Sequence, residues 1–272
     1  MRISLLMALF LLFITASCNF PQAQRTPTPD LLITAIAQTI AARPTSTPKP
    51  TVTAIPPLPT GTATALPSPT GTITITPTLP STDPRNTLGT PTYKNTNFSK
   101  GWFLEDNEHT HISVNDKGAL VLTSLQPVGW HSWSMYYNTL QNFYLEATLH
   151  TGACSGADRY GLVFRAPDNS HGYFFGLSCD GKYNLSSYDG TNFTTIVDYT
   201  KSTAILSGSN QTNRLGVMAR GSEIDLYVNG VSIQQVNDST YATSGVFGVF
   251  IASQATANFT YEMDEIDYWV LP

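Results

Sequence analysis

Charge is scarce in this 272-residue chain, where Asp, Glu, Lys and Arg together make up 12%, about half the share usual in globular proteins. A basic excess is missing too. From Thr92 onward the chain holds nine basic and 17 acidic residues, a net of −8, and nucleic-acid binding needs a basic stripe that such a surface lacks. Only three cysteines occur. Proline, abundant at first sight, is nearly absent from the second part: 15 of the 18 prolines lie between Pro21 and Pro91, leaving Pro127, Pro167 and Pro272. With aromatics at 11%, that second part is too rich in ring side chains to stay unfolded. Two different materials are joined end to end.

A run long enough to span a membrane is also lacking. The stretch Ile3–Ile14 (ISLLMALFLLFI) is apolar, but as a helix it rises only about 18 Å against a hydrocarbon core of roughly 30 Å. Preceded by Met1-Arg2, it has the form of a secretory signal over residues 1–17. Thr15-Ala16-Ser17-Cys18 resembles the lipobox of bacterial lipoprotein signals, with Thr15 where that family usually has Leu. The resemblance implies lipidation of Cys18, so the expectation is a secreted protein held at a membrane by lipid alone, facing the cell exterior or envelope. Residues 18–91 form a linker. Within it Leu32, Ile36 and Ile40 have helical spacing over Asp30–Arg43, and the Thr/Pro/Ser text from Pro44 to Pro91 buries too little to fold. In a polyproline II conformation at ~3.1 Å per residue, that tract would reach about 150 Å.

From residue 92 to 272 the pattern becomes short alternating runs, twelve in all from Gly118–Ser124 to Phe259–Val270, with Asp180-Gly181, Asp189-Gly190 and Asn229-Gly230 at the turns. Such dipeptides tolerate the positive φ of tight hairpins. The expected fold is all-β, a two-sheet antiparallel sandwich. Gly161-Leu162-Val163-Phe164-Arg165, Tyr173-Phe174-Phe175, Asp180-Gly181-Lys182-Tyr183, Leu226-Tyr227-Val228-Asn229-Gly230 and Gly245-Val246-Phe247-Gly248-Val249, closing on Met263-Asp264-Glu265-Ile266, follow in an order that resembles the concanavalin A-like lectin/glucanase jelly rolls. Laminin-G-like and 3-keto-disaccharide-hydrolase-like domains are the nearest in pattern. These motifs are hairpin turns and core positions, so they speak to fold before activity. The resemblance also implies a structural calcium, for which the sequence supplies no Asp-x-Asp-x-Asp loop.

With Cys18 in lipid, Cys154 and Cys179 remain as an even pair in an oxidising compartment, which points to a disulfide; two buried free thiols are the alternative. No His or further Cys lies at ligand spacing for zinc. Catalytic residues are hard to find. Laminarinase-type enzymes carry Glu-x-Asp-x-x-Glu, and Glu262 and Asp264 match, but the third place is Asp267 and the run sits on the closing strand. A retaining glycosidase needs two carboxylates ~5–5.5 Å apart, so Glu262 and Asp264, with Glu146 as a third carboxylate, are the candidates of an enzyme reading. The binding reading rests on strand phase. Leu145, Leu149, Leu162, Phe164, Phe175 and Leu177 belong to the core. The opposite phase places Trp130, Tyr136, Glu146, Arg165, Phe174 and Tyr188 on one face, with Ser132, Ser134, Gly176, Ser178 and Ser186 as gaps, a surface suited to a glycan. A carbohydrate-binding module without catalysis is the expected function; a hydrolase and a protein-binding adhesin are its rivals.

Overall fold

Asn229 and Gly230 adopt φ of 52° and 80°, and Gly181 adopts 83°, so the turn dipeptides take the left-handed conformations that their chemistry permits. In the computed structural model, which describes residues 79–272, these turns join strands along most of the chain. The signal segment, Cys18, the 30–43 helix and the linker up to residue 78 lie outside the described residues. After a four-residue helix α1 (Arg85–Leu88), the strands are β1 (Tyr93–Asn95), β2 (Glu105–Asp106), β3 (Thr110–Val114), β4 (Leu120–Ser124) and β5 (His131–Leu140). There follow β6 (Phe143–Thr151), β7 (Arg159–Ala166), β8 (Gly172–Ser178), β9 (Lys182–Tyr188) and β10 (Phe193–Lys201). The last are β11 (Thr212–Arg220), β12 (Glu223–Val228), β13 (Val231–Asn237), β14 (Gly245–Ala252) and β15 (Phe259–Val270). The twelve runs read from the sequence are β4 to β15; β1 to β3 are short and were not expected.

Two antiparallel sheets result. One has nine strands in the order β13-β12-β11-β6-β15-β4-β3-β2, with β1 paired to β15; the other has six, β10-β9-β8-β7-β14-β5. Between them lies the core, built from alternate residues on each strand. Leu145, Ala147 and Leu149 of β6 and Leu215 and Val217 of β11 are buried with Phe164 and Leu162 of β7, Phe175 of β8 and Val249 of β14. Each large apolar side chain so buried stabilises the fold by roughly 1.5–3 kcal/mol. On β15 the alternation is reset by a bulge between Met263 and Glu265. Met263, Ile266 and Tyr268 all reach the core because of it, and Asp264 is left exposed at the bulge. Cys154 and Cys179 are joined in a disulfide with Cα atoms 5.7 Å apart, tying the loop after β6 to the end of β8.

The expected domain boundary at residue 92 is corrected. Residues 82–91 belong to the expected linker, yet they strap the outer face of the nine-stranded sheet. Thr82 Oγ1 donates to Gly230 O at 2.9 Å, Asp83 pairs with Arg214, Arg85 pairs with Glu146, and Trp269 Nε1 donates to Gly89 O at 3.0 Å. Beneath the strap, Tyr144, Met218 and Trp269 form a small buried cluster with Leu88 and Tyr227 against it.

Candidate functional site

The outer face of the six-stranded sheet has its own small buried cluster, Met135, Val163, Ala166, Phe174, Val246 and Phe250 with Trp133 and Tyr188 packed against it, and leaves Trp130, Tyr137, Phe193 and Tyr199 exposed around it. Its composition follows from register. Phe250 of β14 stands opposite Trp133 on β5 and Gly161 on β7, and Gly161 stands opposite Gly176 on β8. Phe174 is opposite Val163 on one side and Ser186 on the other. A Cβ on Gly176 would come within 2.9 Å of the Phe250 ring, so the glycine is what lets that ring lie down on the sheet. Around it Phe174 meets Phe250 edge-on at 5.3 Å, Trp133 at 5.5 Å and Phe193 at 5.1 Å, and Tyr188 stacks on Phe193 at 4.5 Å. The asparagine loop after β7 holds one wall: Trp133 Nε1 donates to Asn169 O at 2.9 Å and Tyr137 OH to Asn169 Oδ1 at 2.7 Å.

Two depressions adjoin on this face and share His131. The first, about 250 Å³, is lined by Phe103, Glu105, Asn107, Trp130, Trp133, Met135 and Tyr137 among others. The second, about 160 Å³, is lined by Arg159, Phe174, Asn184, Ser186, Phe193, Thr195, Tyr199 and Phe250. Apolar rings with a few placed polar groups are the usual make-up of a ligand site. His131 packs 4.7 Å from Phe193; burial, and secondarily the nearby Arg159 charge, push its pKa down to about 4, so it is neutral at physiological pH. Glu105 is the one carboxylate among the residues lining these two depressions.

The six residues assigned to one face are not all together, and that expectation is corrected. Phe174 and Tyr188 are on the aromatic face, and Trp130, 50% exposed and stacked 4.3 Å from His109, stands at the lip of the first depression. Tyr136 points the other way, into the sandwich, where it packs on Trp102 and Phe247, each ring 5.5 Å away. With it Ser132 and Ser134 turn inward. Ser134 Oγ donates to Phe103 O at 2.6 Å, and the segment before β2 runs alongside β5, with Trp102 bridged to Tyr136. The true outward phase of β5 is His131, Trp133 and Met135, with Tyr137 brought out beside them.

Glu146 lies on the outer face of the other sheet, buried, accepting from Tyr144 OH at 2.6 Å and facing Arg214 Nε at 3.3 Å. Burial pushes its pKa up against the pull of Arg214 and Arg85. Arg165 is only 1% exposed. Its residue has φ 49° at a shift in the β7–β14 register, which sends the side chain off the face to the rim. There Nε and Nη2 donate to Gln141 O at 3.2 and 2.9 Å and Nη1 to Gly221 O at 2.5 Å. Glu262 and Asp264 belong to the nine-stranded sheet; Glu262 accepts from Asn115 Nδ2 at 3.1 Å. Neither adjoins the aromatic depressions. For the implied calcium, no three His, Cys, Asp or Glu side chains cluster among the described residues. The buried Asp158 spends its carboxylate on Ser253 Oγ and the N–H groups of Ser155, Gln254, Ala255 and Thr256.

The fold is shared with solved structures. The carbohydrate-binding module CBM66 of Bacillus subtilis superimposes with a TM-score of 0.51 over 62% of this chain and 95% of that one, at 15% identity. The fold is a concanavalin A-like jelly roll. A glycoside hydrolase family 16 endo-glucanase from Bacteroides ovatus gives 0.51 at 11% identity, covering 65% of this chain and 99% of its own, and the Bacillus licheniformis β-glucanase gives 0.50 at 10%, covering 67% and 100%. Neither a family model nor a curated protein matches the sequence. Identities this low establish the jelly roll alone, and the ligand has to be argued from the side chains of this one.

What the sequence reading missed on the face is Trp133, Tyr137, Phe193, Phe250, His131 and Arg159. A signal existed for one of them. Asp189-Gly190 lies between β9 and β10, and pairing across that turn puts Phe193 opposite Tyr188.

Proposed function

We propose that this jelly roll is a non-catalytic carbohydrate-binding module, displayed on the Pro/Thr-rich linker from a lipidated Cys18 at the cell surface. The observation that carries the binding reading is the set of exposed rings lining the two depressions, Trp130, Tyr137, Phe193 and Tyr199, over a buried bed of Phe174 and Phe250 with His131 between the two. Aromatic rings take the C–H faces of a sugar, and amide, hydroxyl and imidazole groups take its hydroxyls. Glu105 is the one carboxylate lining the two depressions, which supports binding without hydrolysis, since glycosidic cleavage of the usual kind calls on two. Structural neighbours named for carbohydrate binding and for glucan hydrolysis share the fold, which is consistent with a glycan ligand.

A glycan array run with a product-release assay on the same polysaccharides tests the reading. Binding without release is expected. Phe193→Ala and Tyr137→Ala, at positions 39% and 60% exposed, should each weaken that binding by about tenfold or more, as loss of a stacking anchor does, with little change in melting temperature. Released product would assign the enzyme reading, and no binding to any glycan would remove both. For the anchor, mass spectrometry of the mature amino terminus should find acylated Cys18; an unmodified terminus at another residue would refute lipid anchoring.

A further inference from the structure

One charged group on the aromatic face has no counter-charge. Arg159 opens β7 and lines the second depression beside His131, Asn184 and Phe250. Among the described residues Arg85, Lys94, Lys182 and Arg214 each pair with a carboxylate, and Arg159 does not. Asp180 is the acid that shares a depression with it. That carboxylate is already held by Lys182 Nζ at 2.6 Å and by Ser178 Oγ at 2.5 Å. The guanidinium is nevertheless fixed in place. Nη1 donates to Tyr199 OH, and the carbon of the guanidinium stands 5.5 Å from the centre of that ring. Its Nε is shut off from solvent and has no hydrogen-bond partner. A partly exposed guanidinium that is oriented by Tyr199 and has no counter-charge presents its free N–H donors to an anion in the depression. His131 does not compete for that anion, being neutral.

Resting on the carbohydrate-binding reading, we infer that this face takes a sugar chain bearing an anionic substituent, a carboxylate or a sulfate, which seats on the fork of Arg159 while the adjoining ring packs against the exposed ring of Phe193. A planar fork offers two parallel N–H donors to either oxyanion, which a point charge does not. The domain as a whole is acidic, with a net of −8 from Thr92 onward, and its field repels long uniform polyanions. The ligand expected is therefore one whose acidic units are spaced by neutral sugars.

The test is binding by the full chain, at about 0.15 M salt to screen the long-range field, to homogalacturonan, alginate and glucuronoxylan, each beside its own carboxyl-reduced product, and to dextran sulfate beside dextran. At least one acidic member is expected to bind about ten- to a hundredfold more tightly than its neutral counterpart, the range for a charge-assisted hydrogen bond. The pair that shows the difference identifies the anion as carboxylate or sulfate. Arg159→Gln should lower affinity for the acidic ligand to that of the neutral form and leave the neutral form unchanged, and Arg159→Lys should fall between. Equal affinity for acidic and neutral forms, or a preference for the neutral one, overturns the anion assignment while leaving carbohydrate binding intact. Failure to bind any glycan in this panel or on the array overturns the carbohydrate reading itself. Should Arg159→Gln fail to fold, the comparison of each acidic polymer with its reduced product still decides.

Discussion

Arg165 shows how far one backbone angle can move a side chain from where alternation would put it. Continuing the outward phase of Arg159, Gly161 and Val163 would set Arg165 on the aromatic face. With φ at 49° the chain bulges and the guanidinium closes the rim on Gln141 O and Gly221 O. Arg165→Ala is accordingly expected to cost about 2–4 kcal/mol, since it strands buried carbonyl groups as well as removing donors. Calorimetry should show a melting temperature lower by roughly 5–15 °C, with glycan affinity unchanged; lost binding at full stability would return Arg165 to the site. Residue-level phase on β5 was equally hidden. In His131-Ser132-Trp133-Ser134-Met135-Tyr136 the serines read as a polar outer face, yet they face inward, where Ser132 bonds Thr110 and Ser134 bonds Phe103 O of the Trp102–Phe103 segment. Only knowledge of that distant segment distinguishes the two phases, because a one-residue slip exchanges every side chain between faces.

At the scale of elements, hairpins were legible and bulges and straps were not. Asn229-Gly230 announces the β12–β13 turn from two residues, and Glu223–Val228 emerges with the same ends in sequence and structure. The bulge at Met263–Glu265 leaves no comparable mark, although it decides that Ile266 and Tyr268 enter the core. The strap is harder still, because Pro80 to Pro91 continues the Pro/Thr composition of the linker. What makes it part of the domain is a buried ionic network: Asp83 with Arg214, and Glu146 between Arg214 and Arg85. Removing one member of such a network leaves the others charged and unpaired, at a cost of about 3–5 kcal/mol. Asp83→Ala should show that loss in urea unfolding, and Asp83→Ala combined with Arg214→Met should recover part of it. Recovery in the double variant separates an uncompensated charge from simple loss of packing.

For the whole molecule, fold and disulfide could be read early because both depend on patterns spread over many residues: twelve alternating runs, and a pair of cysteines left over. The site depends on which of two faces a few side chains occupy, and periodicity alone does not choose between them. The strap has one more consequence. The chain enters the domain across the outer surface of the nine-stranded sheet, and the aromatic depressions open on the outer surface of the six-stranded one. Entry and depressions are thus on opposite sides of the sandwich. Pinned by Asp83 and Arg85, the segment that leads into the domain leaves the aromatic depressions clear of itself.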